Sequence, residues 1–196
     1  NYQHQKEILK ELENFNIQNL SDVNNLNLDL FKLRVQHGLK SFEFKEHYEP
    51  LNQMHGIHNY FHRLLSIMPM KTEKDFEVMV TRLKALPRVV DEIIELMKNG
   101  IKSGITVPQI AMLDVPNQIG RQLPENIEKS PFYHLVNNKN LSEKMKDTLT
   151  LAIKEELYGS FTLLKNYIEK EYIPACRTTI GLSEITNGRE LYDLKL

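Results

Sequence analysis

The chain has 196 residues, of which 41% are hydrophobic, which is enough for a folded core and too many for a disordered chain. Its 25 lysines and arginines are balanced by 26 aspartates and glutamates, and this lack of a basic excess argues against nucleic-acid binding. The single cysteine excludes an intramolecular disulfide, and no apolar run approaches the roughly 20 residues of a membrane span.

The first predicted elements in chain order are two helices joined by a polar link. Apolar residues in the first 18 positions are spaced as in a short amphipathic helix, which we expect to be loosely attached. An asparagine-rich segment over 14–27 is typical of a loop. A second amphipathic pattern follows it and predicts a helix that ends near residues 38–44.

The clearest helix is predicted to run from Thr72 to about Lys98. Thr72 is a good N-cap, and Asp75 three residues later completes a short-armed capping box. Gly100 is well placed to cap the other end. Pro87 removes one backbone donor inside the helix and predicts a kink. Because the apolar spacing continues across the proline, we predict one kinked helix instead of two.

A second long helix is predicted to begin near Asn140, where Glu143 completes an Asn-x-x-Glu box. It is predicted to stop at Ile173, because Pro174 follows. Gly159 lies inside the pattern and costs about 1 kcal/mol relative to alanine. We therefore expect it to mark a close contact between helices.

The fold class follows from these patterns. No segment alternates with period two over the roughly five residues that a strand needs. We predict an all-α helical bundle in which the two long helices pack antiparallel, with short helices and loops around them. We expect residues 1–196 to form a single helical domain or an incomplete part of a larger helical domain.

Three of the seven histidines lie within eight residues of one another. On one α-helix, His55, His58 and His62 would fall within about 60° of one face, and the i,i+4 spacing of the last two can chelate a metal. Asn59 stands where the metallopeptidase motif His-Glu-x-x-His has its catalytic glutamate, and Gly56 can keep His55 off the helix. We favour a polar histidine face over this metal site and over a pH-sensitive or substrate-contacting role, and all three interpretations stay open.

Catalytic signatures of other kinds are missing from the sequence. It contains no P-loop and no Gly-x-Ser-x-Gly elbow. Arg177 beside Cys176 would lower the pKa of the thiol, but the nearest histidine in sequence is His134. We therefore predict no catalytic residue in this chain.

A series of short motifs resembles a known family. The chain is similar, over roughly residues 20–196, to a large family of mainly helical bacterial and protist proteins of unknown function. That family looks like the gluzincin-type zinc metallopeptidases. The resemblance rests on Pro50-Leu-Asn-Gln-Met-His-Gly56, Met68-Pro69, Arg82-Leu-Lys-Ala-Leu-Pro87, Lys98-Asn-Gly100, Ser130-Pro131-Phe132, Tyr172-Ile-Pro174-Ala-Cys-Arg177 and Gly188-Arg-Glu-Leu-Tyr192.

The resemblance implies a hydrolase whose chemistry lies outside this chain. Members of the family carry a His-Glu-x-x-x-Gly-His-His zinc motif downstream of the matched motifs, and this sequence contains no His-Glu dipeptide. We therefore expect no cofactor in this chain, zinc in the full-length parent, and no activity of the chain alone. Its expected contribution is the scaffold and the substrate cleft for a peptide.

Four side chains in the matched motifs are predicted to contact that peptide: Asn52, Gln53, Arg177 and Tyr192. Arg177 suits a terminal carboxylate best. The alternative is structural, with Asn52 and Gln53 capping a helix and Arg177 paired with an acid.

Two other functions stay open. The chain is alternatively a stand-alone helical interaction module, or a metal-binding domain that uses the three histidines. If its helices pack against a missing C-terminal half, one apolar face is expected to be exposed. The isolated chain would then self-associate.

Overall fold

The computed structural model describes residues 2–16, 18 and 20–196, and the all-α prediction is confirmed. Within these residues no strand forms, although one isolated parallel bridge pairs Pro108 with Arg177. None of the described helices combines the length and the apolar character needed to cross a membrane. The α-helices are α1 (Tyr2–Glu13), α2 (Asp22–Glu43), α3 (Ile57–Ser66), α4 (Glu73–Ser103), α5 (Val115–Gly120), α6 (Glu143–Ala152), α7 (Gly159–Tyr167), α8 (Ile173–Ala175) and α9 (Gly188–Lys195).

The chain divides into two compact units. Unit 1 contains Asn1–His47 and Gly181–Leu196, and unit 2 contains Tyr48–Ile180. The sequence predicts that residues 1–196 fold as one body, either a single helical domain or part of a larger one. This stays a prediction.

In unit 1, α2 packs against both α1 and α9. The side chain of Ser21 caps α2 by accepting a hydrogen bond from a backbone N–H of the first turn. The link predicted over 14–27 was therefore wrong from Asp22 onward, because the cap and the apolar residues that follow outweigh the low helix propensity of asparagine. The predicted end near 38–44 is confirmed by the last helical residue, Glu43.

Contacts at both ends of the chain hold unit 1 together. Tyr2 of α1 stacks on Phe42 of α2, with 4.4 Å between the ring centroids. Glu46 accepts hydrogen bonds from Lys195 of α9 and from Ser41 of α2. Burial raises the pKa of Glu46, but these two hydrogen bonds outweigh it and bring the pKa below its usual value. The predicted loose attachment of the N-terminal helix stays a prediction.

In unit 2, α4 is a single helix of 31 residues. The predicted capping box is confirmed: Thr72 Oγ1 accepts from the backbone N–H of Asp75 at 3.2 Å, and the Asp75 carboxylate accepts from the backbone N–H of Thr72 at 2.9 Å. The helix continues through Pro87, so the choice of one helix over two is confirmed. The kink at Pro87 and the antiparallel packing of the two long helices stay predictions.

The C-terminal end of α4 differs from the prediction. Gly104 caps the helix, with φ +69° in the left-handed region, whereas Gly100 lies inside it. A Cβ on Gly100 would be 2.6 Å from the carbonyl oxygen of Ile105 and 3.2 Å from that of Tyr48. Gly100 therefore permits a close approach of backbone segments and does not end the helix.

The second long helix runs from α6 to α8 and includes two π turns, Ile153–Tyr158 and Ile168–Tyr172. Its N-cap is Ser142, whose Oγ accepts from the backbone N–H of Met145 at 3.4 Å, so the predicted start near Asn140 was two residues early. The helical run also passes Pro174 and ends at Ala175, two residues beyond the predicted stop at Ile173.

The π turns keep one face of this helix in the core. One row of buried side chains recurs mainly every four residues, a spacing that drifts by about 40° per step on an α-helix. The wider π turn reduces this drift. Gly159 lies between the two π turns, and a Cβ there would meet no described atom within 4 Å, so the predicted close contact was wrong. The row of buried side chains consists of Leu149, Ile153, Leu157, Phe161, Leu164, Ile168 and Tyr172, and Ala152, Ser160 and Tyr167 are buried beside it.

Three phenylalanines tie the short elements of unit 2 to the long helices. Phe61 of α3 and Phe132 both lie 6.2 Å from Phe161 of α7, measured between ring centroids. Phe61 and Phe132 are themselves 6.5 Å apart. Edge and tilted contacts of this kind are favourable for aromatic rings. They hold α3 and the segment at Phe132 against α7.

Candidate functional site

A surface cleft of about 300 Å³ lies beside the histidine-rich stretch. We call it the histidine cleft. One wall comes from α3, and the other comes from α5 and the residues that follow it. Its lining residues are His58, Asn59, His62, Gln118, Arg121, Gln122 and Pro131.

Gly56 determines which histidines reach this cleft. Its backbone, with φ +133° and ψ 168°, turns the chain into α3, which begins at the next residue. His55 therefore stands outside the helix, where its Nδ1 lies 3.0 Å from the Tyr60 hydroxyl. His58 is completely buried, and His62 is exposed one turn later. The cleft thus takes two of the three histidines.

The His58 ring is held by a hydrogen bond from α3 to α5. Its Nε2 lies 3.1 Å from Oε1 of Gln118, and Nε2 of Gln118 donates to the backbone oxygen of Gln53 at 3.2 Å. Burial lowers the pKa of His58, while the Gln118 hydrogen bond raises it by less. The ring is therefore neutral at pH 7, with its proton on Nε2. Nδ1 is then a buried acceptor without a donor among the described residues.

Gln122 is the second polar anchor of the cleft. Its Nε2 donates to the backbone oxygens of His58, at 2.9 Å, and Gln118, at 3.1 Å. Ser130, which is buried, donates to the backbone oxygen of Gln122 at 3.0 Å and accepts from the backbone N–H of Phe132. The side-chain oxygen Oε1 of Gln122 is buried and has no hydrogen-bond partner in the part of the chain described. Gln122, a lining residue of the cleft, therefore carries a buried acceptor that no donor of the described residues fills.

Asn52 and Gln53 act mainly through local structure. The side chain of Asn52 accepts from the backbone N–H groups of Met54, at 2.8 Å, and His55, at 3.1 Å, which closes a turn and does not cap α3. The backbone N–H of Gln53 donates to Ala111 at 3.0 Å. The backbone oxygen of Gln53 accepts from Gln118, so this turn borders the histidine cleft.

Arg177 bonds to the segment 106–111, which also contains Ala111. Its Nε donates to the backbone oxygen of Thr106 at 3.0 Å, and its Nη1 donates to that of Thr179 at 2.6 Å. The backbone oxygen of Arg177 accepts from Gln109 at 2.8 Å. Gln53 and Arg177 thus bind the same short segment, whereas Tyr192 is exposed on α9 of unit 1. The predicted substrate contacts of these residues stay predictions.

Cys176, next to Arg177, is not an activated thiol. Burial and the negative charge of Glu49 raise its pKa to about 12, and the charge of Arg177 lowers it by less. A reactive cysteine needs a substantial thiolate fraction. At neutral pH this cysteine is a buried thiol.

The histidines do not fit a zinc ion as they are placed. Zinc needs three or four His, Cys, Asp or Glu ligands around one point. No group of three such residues that could hold a metal occurs in the described ranges 2–16, 18 and 20–196. His55 and His58 each have one ring nitrogen engaged, by Tyr60 and Gln118. The predicted metal site gains no support here and stays a prediction.

Gln118 and Gln122 were not predicted from the sequence as site residues. Gln118 and Gln122 are four residues apart, and Gln118 follows the buried Val115 and precedes the buried Ile119. Two amides on successive turns next to buried apolar residues were the available signal. The partner, His58, lies 60 residues away, and nothing local connects the two.

Comparison with protein families identifies a match over the full sequence. Residues 1–196 match a family described as "Bacterial protein of unknown function (DUF885)". No curated protein matches the chain.

Proposed function

We propose that this chain, which belongs to that bacterial family of unknown function, forms the scaffold and the substrate cleft of a zinc-metallopeptidase-like hydrolase. The ordered sequence motifs between residues 50 and 192 support the hydrolase part of the proposal. A metal-activated water and a general base are needed for such a reaction. Since the chain has no His-Glu dipeptide, its own role is to bind and position the peptide.

One observation carries the binding role: Gln122 lines the histidine cleft, and its buried side-chain oxygen Oε1 has no donor among the described residues. A buried acceptor without a donor costs roughly 1–3 kcal/mol. A peptide N–H that reaches this oxygen from the cleft would remove that cost. An ordered water is the rival donor, and the experiment below separates the two.

The other groups of the cleft suit a peptide backbone. Its backbone alternates N–H donors and C=O acceptors. The amides of Asn59 and Gln118 line the cleft and already donate to the backbone oxygen of Gln53, and each keeps one further N–H and an oxygen lone pair for a peptide. Arg121 adds a guanidinium, which also bonds to Asp114 at 2.9 Å. A volume of about 300 Å³ is at the lower end of ligand pockets. The ligand is therefore a segment of one or two residues.

Binding of a blocked dipeptide tests the proposal. We would titrate N-acetyl-Ala-Ala-N-methylamide into the ¹⁵N-labelled chain and follow the side-chain amide signals of Gln118 and Gln122. Saturable shifts are expected. Gln122→Met, which keeps the side-chain volume but lacks both the oxygen and the Nε2 donor to His58 and Gln118, is expected to weaken binding at least tenfold. Gln3→Met makes the same change at an exposed glutamine of α1 and is expected to leave binding unchanged.

Two outcomes would refute the binding role. One is the absence of saturable shifts, which would leave water as the partner of Gln122. The other is equal affinity in Gln122→Met, provided that its unfolding curve shows a folded protein. The hydrolase part has a separate test, the full-length reading frame. A downstream His-Glu-x-x-x-Gly-His-His motif would support it, and a stop codon directly after Leu196 would refute it.

A further inference from the structure

Helix α2 has two apolar faces, and only one of them is covered. At 100° per residue, Leu28, Val35 and Leu39 lie on one side of the helix, and these side chains are buried or half-buried. Four other apolar residues lie within about 80° of one another on the opposite side. They are exposed to 67%, 59%, 54% and 62%, and they are Val23, Leu26, Leu30 and Leu33.

We call these four residues the outer seam of α2. A surface helix of a monomer needs one apolar stripe to face its core. The outer seam is a second stripe, and it is continuous over three turns. Contiguous exposed apolar surface of this kind marks an interaction site.

The spacing of the outer seam identifies the kind of partner. Its residues follow one another at intervals of three, four and three, which are the a and d positions of two heptads. That pattern favours another helix with the same repeat lying nearly parallel to the axis of α2. A second copy of this chain supplies such a helix.

We propose that the outer seam of α2 binds the same seam of a second copy as a parallel two-stranded coiled coil. In the heptad set by the seam, Asp29 occupies position g and Arg34 position e. In a parallel pair, a g residue faces the e residue five positions later in the partner, so Asp29 meets Arg34 on both sides of the interface. Both residues are exposed, and neither has an ion-pair partner in the described part of the chain.

Charge also decides between the two directions. An antiparallel pair centred on the seam would bring Asp29 close to Asp29 of the second copy, which is unfavourable because the two charges are alike. Two heptads bury less surface than a stable dimer needs, so we expect a dissociation constant on the order of 100 µM. This dimer is independent of the peptide-binding role proposed for the histidine cleft, which uses residues of unit 2.

Sedimentation equilibrium over a wide range of concentrations tests the dimer. Leu30→Glu places a charge in the middle of the seam and is expected to weaken association at least tenfold. Phe31→Glu is the matched control, because Phe31 is the next residue, is 46% exposed and lies off the seam. Circular dichroism of both variants checks that they fold.

Two further variants test the direction. Asp29→Arg and Arg34→Asp alone are each expected to weaken association about threefold, and the double variant is expected to restore it. Leu33→Cys is expected to form a disulfide-linked dimer on oxidation, since equivalent d positions meet in a parallel pair. The wild type, with its buried Cys176, is the control. A monomer at all concentrations, equal association in Leu30→Glu, or no rescue by the double variant would overturn the proposal.

Discussion

Replacing Gly56 by alanine tests how the histidine cleft is built. Gly56 has φ +133° and ψ 168°, a region of backbone space that is essentially restricted to glycine. A Cβ added there would be 2.4 Å from Cβ of Leu51 and 2.9 Å from Nδ1 of His58. Leu51 is 1% exposed, and neither neighbour is a flexible chain end. Gly56→Ala therefore forces a shift of the turn, of α3, or of both.

The magnitude follows from two terms. The backbone strain costs roughly 1–3 kcal/mol, and the overlap with buried atoms adds roughly 1–3 kcal/mol. We expect a loss of about 4 kcal/mol in the free energy of unfolding, which is a large part of the 5–15 kcal/mol typical of folded proteins. Urea unfolding followed by circular dichroism measures it. Because Nδ1 of His58 is one of the two crowded atoms, we also expect weaker peptide binding in the histidine cleft.

Two other glycines provide matched controls for the same substitution. Gly104 has φ +69°, but no described atom lies within 4 Å of a Cβ there, so Gly104→Ala is expected to cost only about 1 kcal/mol. Gly159 is helical with the same free space, so Gly159→Ala is expected to stabilise the protein by about 0.5–1 kcal/mol. If Gly56→Ala costs no more than Gly104→Ala, the contacts with Leu51 and His58 do not constrain the turn, and the reasoning is refuted.

Further predictions concern His58, Phe161, Arg177 and zinc. Since burial lowers the pKa of His58 below 6.5, the unfolded state takes up the proton first as the pH falls. The free energy of unfolding is therefore expected to fall as the pH drops below about 6.5. Between pH 7.5 and pH 5 it is expected to fall less in His58→Gln than in the wild type. Phe161→Ala, which removes a fully buried ring, is expected to cost about 3–5 kcal/mol in urea unfolding, and a cost below 1 kcal/mol would contradict the packing. Arg177→Ala is expected to cost about 2 kcal/mol through the two lost carbonyl bonds, and an unchanged unfolding midpoint would show that they are not stabilising. In calorimetric titration we expect no stoichiometric zinc binding. Stoichiometric binding that is lost in His58→Ala would establish the metal site.

The sequence predicts the fold wherever the signal is local. Thr72 and Asp75 form a capping box from two residues three positions apart, so the start of α4 follows from the sequence alone. The other end of α4 offers two glycines, and the choice between Gly100 and Gly104 depends on a distant backbone. Tyr48 approaches Gly100 from outside the helix, and no periodic pattern reports such an approach.

In the candidate site, too, the sequence shows the local signals and misses the long-range contacts. The histidine-rich stretch is visible as a cluster, and its placement next to Gly56 correctly separates His55 from the helix. The polar partners of His58 come from α5, and their hydrogen bonds join residues about 60 positions apart. Gln118 and Gln122 look like ordinary polar positions until the fold brings them to the ring. Sequence therefore locates one wall of the cleft and misses the other.

The two π turns of the long helix have a consequence for insertions and deletions. A π turn holds one residue more than the α-helical turn it replaces, so losing one residue from Ile153–Tyr158 would leave an α-helical turn and keep the following residues in place. The same loss inside α7 would rotate every later side chain by about 100° and move Tyr172 out of the core. The chain length of this helix is thus adjustable at two defined places, and elsewhere along it the length is fixed.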